Sequence, residues 1–265
     1  MNEYMDLKHR IDETYYPAWN LINPWVEMLV EHARLKRGEK VLDIGTGRGW
    51  VAQRASLITK TIGGTHAIDK DPDLLSHAQT THAEADIIWL HGDLSELPFH
   101  AEIFDCVIGN QMFQLLSDPE KNSAEISRVI RTGGRLVLNV YDRLELCPAH
   151  QAVAKILKCR GVDTEPLKIL HSLHDPIKLG DIIATSGFKD ISVVRKTHEA
   201  RFTSLRTFYS ALASEFPSLR LSLEDLVADE SSGGLSDVKT ALRDYIDDDG
   251  LRVLTTSNFL FARKR

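Results

Sequence analysis

The chain has 265 residues, with 32 Lys and Arg against 38 Asp and Glu and a formal net charge of −6. Hydrophobic residues make up 43% and charged residues 26%, which excludes a disordered chain, while 16 Gly and 9 Pro exclude a collagen-like one. A modestly acidic chain of this length can bury a substantial core and has no global electrostatic attraction to nucleic acid or to an anionic membrane.

In chain order, residues 1–37 read as a helical, aromatic segment that holds Tyr4, Tyr15, Tyr16, Trp19 and Trp25. Asn23-Pro24 reads there as a cap and first-turn proline opening a helix over about 24–36. Lys40–Ile44 is a short apolar strand that ends in Gly45-Thr46-Gly47-Arg48-Gly49, and a helix-compatible segment follows over 50–58. The alternation repeats: a strand at 65–69, a helix at about 72–83, a strand at 86–91 followed by Gly92-Asp93, a strand at 104–110 and a helix at 119–130. Gly133-Gly134 releases a fifth strand at 135–140. Helices are expected at 148–160, 176–186, 203–214 and 236–247, a sixth strand around 191–194 and a seventh at 253–262. Asp247-Asp248-Asp249 reads as a solvated turn. Short β-rich runs alternating with helices argue for a mostly parallel, doubly covered sheet.

Three glycines directly after a buried strand let the backbone approach a ligand closely. The spacing G-x-G-x-G differs from the dinucleotide fingerprint, since Trp50 follows Gly49. Asp43 also lies two residues before the first glycine, where a carboxylate disfavours a pyrophosphate and favours an ammonium or sulfonium ligand. Asp69, at the end of the second strand, can accept hydrogen bonds from ribose hydroxyls, and Gly92-Asp93 could reach a base edge. These groups call for a nucleoside with a positively charged, phosphate-free tail.

Val41–Gly49 resembles the first motif of class I S-adenosylmethionine-dependent methyltransferases. Ala67-Ile68-Asp69 resembles their second, Gly92-Asp93-Leu94 with Leu97-Pro98-Phe99 their third, Phe104–Asn110 their fourth strand, and Arg128–Val137 the block before the fifth. Order and spacing are most similar to the small-molecule branch typified by ubiquinone and menaquinone methyltransferases. The resemblance implies a Rossmann-like α/β fold: a seven-stranded, mostly parallel sheet with helices on both faces and the last strand antiparallel. It would carry a helical lid at 1–37, with the methyltransferase domain at 38–265 and acceptor-pocket insertions at about 143–175 and 197–250.

The resemblance also implies S-adenosylmethionine as cofactor, with Asp69 and Lys70 at the ribose and Gly92, Asp93 and Leu94 at the adenine. Asp43, Gly45, Thr46, Gly47, Gly49, Asn110, Gln111 and Met112 would lie near the methionine tail. Many relatives carry histidine just after the fourth strand, where this chain has Gln111-Met112-Phe113-Gln114. No catalytic base follows from the motifs; Tyr16, His150 and His174 are candidates.

The expected reaction is in-line methyl transfer to an O, N or C atom of a small hydrophobic acceptor. Alternatives are a cyclase or rearrangement enzyme on the same fold, a non-catalytic cofactor-binding protein, and a nucleic-acid methyltransferase supported only by His32–Arg37 and Arg263-Lys264-Arg265. The order of partners is a small-molecule acceptor, with no nucleic acid. Cys106, Cys147 and Cys159 form no CxxC pair, and His171 and His174 lie three apart without an obvious third ligand, so no metal is expected. The polar, acidic N-terminus differs from a signal peptide, no run of about 18 apolar residues offers a membrane span, and a cytoplasmic location is expected.

Overall fold

A computed structural model describes residues 18–60, 62–215, 219–228 and 234–265. Tyr4, Tyr15 and Tyr16, and with them most of the expected lid, lie outside the described residues. The elements run α1 (Trp19–Ala33), β1 (Val41–Ile44), α2 (Trp50–Thr59), β2 (Thr65–Asp69), α3 (Pro72–Thr81), β3 (Ile87–His91), β4 (Phe104–Asn110), α4 (Pro119–Val129) and β5 (Ile130–Tyr141). They continue as α5 (Pro148–Cys159), α6 (Glu165–Leu170), α7 (Pro176–Thr185), β6 (Phe188–Phe202), α8 (Leu205–Glu215), α9 (Arg220–Ala228), α10 (Gly234–Ala241), β7 (Ile246–Asp247) and β8 (Gly250–Lys264).

The sheet follows the order β3-β2-β1-β4-β5-β8-β6, and β7 pairs with β8 off this path. The seven expected strands are therefore joined by an eighth, short one. Pairings β1–β2, β1–β4, β2–β3 and β4–β5 are parallel, and β5–β8 is antiparallel. Placing β1 beside both β2 and β4 puts the reversal of strand order at its carboxyl end, where open α/β sheets bind ligands.

The chain divides into two compact units. Among the described residues, one comprises 25–142, 172–196 and 257–265; the other comprises 18–24, 143–171 and 197–256. The first holds the parallel sheet and its main core, with Leu42, Ile44, Ile68, Phe104, Val107, Leu136, Leu138, Phe188 and Leu260 all buried. The second packs Phe202 against Phe208 with ring centroids 5.5 Å apart, beside buried Tyr209 and Leu212.

Three helices start the same way. Asp71, Asp118 and Asp175 each accept amide hydrogen bonds from the following turn, and a proline comes directly after each. The aspartate satisfies orphan N–H groups while the proline lacks the amide that would be orphaned there.

Local departures from the expected elements have local causes. Helix α1 begins at Trp19 and carries Pro24 inside it, so Asn23-Pro24 is not the helix start. The interior proline removes one amide donor, but the apolar face Leu21, Ile22, Trp25, Val26 and Leu29 is buried throughout. Strand β5 starts at Ile130, five residues early, because Ile130 pairs with Phe104 before the register shifts to Arg135 opposite Cys106. Gly134 sits where an added Cβ would lie 2.9 Å from the Arg131 carbonyl oxygen, so the glycine pair forms this bulge instead of preceding the strand. The expected helix over 236–247 ends at Ala241, and Ile246-Asp247 turn into β7 opposite Leu251 and Gly250.

Candidate functional site

The glycine loop leaves β1 at Gly45 and enters α2 at Trp50. Gly45, Gly47 and Gly49 have φ of +59°, +53° and +81°, a region that costs L-residues roughly 1–2 kcal/mol each. The three differ in what surrounds them. A Cβ on Gly45 would stand 2.9 Å from Met112 Cβ, and one on Gly49 would stand 2.6 Å from the Trp89 ring. A Cβ on Gly47 would meet no described residue within 4 Å. Gly47 is thus the point at which bare backbone is open to a ligand.

Asp43, on β1, is 1% exposed, and its Oδ2 accepts the Thr46 hydroxyl at 2.6 Å and the Ala52 amide at 3.0 Å. One carboxylate oxygen therefore staples the loop to the first turn of α2. Burial pushes this carboxyl up to about 7, against the lowering effect of the two hydrogen bonds and with a further rise from Asp69.

Asp69, at the end of β2, accepts the Gly47 amide on Oδ2 at 2.7 Å and the Asp71 amide on Oδ1 at 2.9 Å. A carboxylate offers about four lone-pair directions, so each oxygen keeps capacity for a hydroxyl donor. The Gly92 amide donates to the Asp69 carbonyl at 2.9 Å, which sets the turn after β3 beside the same aspartate. Asp93 is exposed; its carboxyl is held below the usual range by the Ser95 hydroxyl and amide. Leu94 is buried, and Lys70 lends its carbonyl to the His91 ring at 3.2 Å.

At the end of β4, Gln111 adopts φ +52°, held because its amide donates to both the carbonyl and the side-chain Oδ1 of Asn139 at 3.0 Å. Its side chain donates to Ser257 Oγ at 2.8 Å. Asn110 pairs in register with Asn139, and Asn110 Oδ1 and Asn139 Nδ2 are buried with no hydrogen-bond partner among the described residues. Such atoms cost free energy unless a ligand or water completes them.

The structure thus brings Asp43, Gly45, Thr46, Gly47, Gly49, Asp69, Gly92, Asn110, Gln111 and Met112 to the carboxyl ends of β1, β2, β3 and β4. His174 is exposed with its carbonyl accepting from Asn258 at 2.8 Å, and His150 is 1% exposed within the second unit, beside His171. Tyr16 lies outside the described residues.

Sequence reasoning missed two supporting sets. His82 stacks on Trp89, presents its edge to Trp50 and donates from Nε2 to the Arg48 carbonyl at 3.0 Å, so it walls Gly49; burial pushes it down to about 4 and keeps it neutral. Arg128 donates to the Leu97 and Phe99 carbonyls and pairs with Glu125 at 2.6 Å, which fixes the segment after Leu94. Asn139, which holds the Gln111 amide, was missed as well, although a polar residue inside the apolar run Leu136–Val140 is a local signal.

The methyltransferase domain family matches residues 42–138. Malonyl-[acyl-carrier protein] O-methyltransferase of Hahella chejuensis is 33% identical over 126 residues, which cover 48% of this chain and 45% of that protein. The enzyme of the same name from Erwinia billingiae is 33% identical over 176 residues, covering 62% of this chain and 65% of its own length. The match spans about half to two thirds of the length of such curated relatives. Among solved structures, the YcgJ protein of Bacillus subtilis shares the fold with a TM-score of 0.63 at 16% identity, covering 92% of this chain and 99% of that one.

Proposed function

We propose, from the premise that this chain carries a class I methyltransferase domain over residues 42–138, that it binds S-adenosylmethionine and methylates a small acceptor. The observation that carries the reading is the open Gly47 backbone tied to Asp69, a carboxylate with spare acceptor capacity at the strand-order reversal. The donor set suits the group: Asp69 for the ribose hydroxyls, Asp93 and Leu94 for the adenine, and the partnerless Asn110 Oδ1 and Asn139 Nδ2 for the amino and carboxylate ends of the methionine tail. When bound, the cofactor supplies an electrophilic methyl on sulfur.

This chain's own residues bind, orient and exclude water. Gly45 and Gly47 keep side chains off the cofactor path, Met112 packs over Gly45, and Asp43 fixes the loop from beneath. Methyl transfer from sulfonium gains rate from alignment of nucleophile and methyl, so an anionic or neutral lone-pair acceptor needs no base. Acceptor choice is assigned to the insertions at 143–175 and 197–250. The malonyl thioester acceptors named for the relatives offer an oxygen that is already anionic, so carboxylate acceptors are the first class to try.

The test is incubation of the full chain with methyl-labelled S-adenosylmethionine and panels of carboxylic, phenolic and amine metabolites. Label in a product, with S-adenosylhomocysteine formed in equal amount, supports the reading. Cofactor binding without label transfer, but with conversion of an acceptor, would favour the cyclase alternative.

A further inference from the structure

Outside the methyl-transfer site, the second unit gathers three soft or borderline donors. Cys147 caps the N-terminus of α5, His150 lies three residues on in its first turn, and His171 follows the last residue of α6. All three are buried, at 0%, 1% and 5% exposure. One ligand atom from each lies within 4.8 Å of the other two.

The spacing of these atoms is that of a coordination shell. His150 Nδ1 and His171 Nε2 are 3.4 Å apart, long for a hydrogen bond between ring nitrogens. A tetrahedral zinc ion with Zn–N near 2.05 Å separates its nitrogens by about 3.3 Å, and Zn–S near 2.3 Å places sulfur about 3.6 Å from nitrogen. The nitrogen edge is therefore already formed, and the sulfur edges need to close by at most about 1.2 Å. Cys147 and His150 sit one helical turn apart on one face, which is the C-x-x-H arrangement used to present two ligands together.

Cys147 holds the N-cap position of α5; the Thr256 amide donates to its Sγ at 3.4 Å and its thiol donates to the Thr256 carbonyl at 3.8 Å, contacts that fix where the sulfur sits.

We propose that Cys147, His150 and His171 form a binding site for a thiophilic d10 cation, Zn2+, which ties α5 to the end of α6. On binding, three ligand bonds form, the Cys147 thiol releases its proton to solvent, nothing is oxidised or reduced, and a water takes the fourth position. The site stands independently of methyl transfer.

The test is metal analysis of the full chain after purification without chelator, followed by titration of the stripped protein with Zn2+ and Co2+. The expected result is about one Zn2+ per chain, a raised Tm with Zn2+ over EDTA, and a thiolate-to-cobalt charge-transfer band. Cys147→Ser and His171→Gln, each checked by circular dichroism, should lower Zn2+ affinity at least about tenfold. If the variants fail to fold, the wild-type cobalt spectrum decides. A wild-type chain that holds less than about a tenth of an equivalent and shows no charge-transfer band overturns the proposal.

Discussion

The Gly47 amide donates to Asp69 Oδ2 at 2.7 Å, so the end of β2 holds the glycine loop that leaves β1. Backbone placement and the candidate ribose acceptor are therefore one structure. A change in either residue should be felt at the other.

Gly47 and Gly49 separate ligand access from packing. Gly49→Ala meets the Trp89 ring at 2.6 Å as well as an unfavourable φ, so a loss of roughly 2–4 kcal/mol in unfolding free energy is expected. Gly47→Ala meets open space and should cost only about 1–2 kcal/mol from its backbone, while S-adenosylmethionine affinity falls at least about tenfold. Denaturant melts and calorimetry on both variants check this; equal stability losses with unchanged affinity would contradict it.

Asp43 makes a pH-dependent contribution with a definite sign. Its folded-state pKa of about 7 exceeds the ordinary value of 3.8, so the folded chain holds this proton more tightly than the unfolded one. The stabilisation is complete below about pH 4 and is lost as pH rises to about 7, by at most about 4 kcal/mol. Asp43→Asn can still accept from Thr46 and Ala52 but has no proton to lose. Its stability relative to the parent should rise between pH 4 and 7 and level off above; parallel pH profiles would contradict the assignment.

How much of this was legible in the sequence follows from range. The G-x-G-x-G turn after the first strand and the helix starts near residues 72, 119 and 176 are local signals, and the structure has the turn between β1 and α2 and helices that start at Pro72, Pro119 and Pro176. Asn23-Pro24 misled because the buried face of α1 continues through Trp19, Leu21 and Ile22, and tertiary burial outweighed the proline. The Gly133-Gly134 bulge depends on Phe104 and Asp105 across the ladder. The Cys147, His150 and His171 cluster escaped a search for close histidine spacing because 21 residues separate the two histidines. Walling of Gly49 by His82 and Trp89 joins residues from a helix end and a strand, which no periodicity reveals.

Asn139 and Ser257 should act on the same residue with unequal weight. Asn139→Leu removes an acceptor from the Gln111 amide, leaving it the Asn139 carbonyl alone, and should destabilise by about 1–3 kcal/mol. Ser257→Ala removes only the bond to the Gln111 side chain and should cost about 1 kcal/mol. If the Asn139 change also weakens cofactor binding while Ser257→Ala leaves it nearly intact, Asn139 shapes that part of the site, through its own Nδ2 and the left-handed Gln111 backbone it holds. Equal effects on binding would assign the role to the Gln111 side chain instead.

The central claim is that this sheet edge binds S-adenosylmethionine through Asp69. Isothermal titration of the full chain with S-adenosylmethionine, alongside Asp69→Ala verified as folded, tests it most directly. Saturable one-to-one binding by the parent is expected, with an affinity at least about tenfold weaker in the variant, a loss of about 1.4 kcal/mol or more. No binding by the parent, or equal affinity in the two proteins, would contradict it.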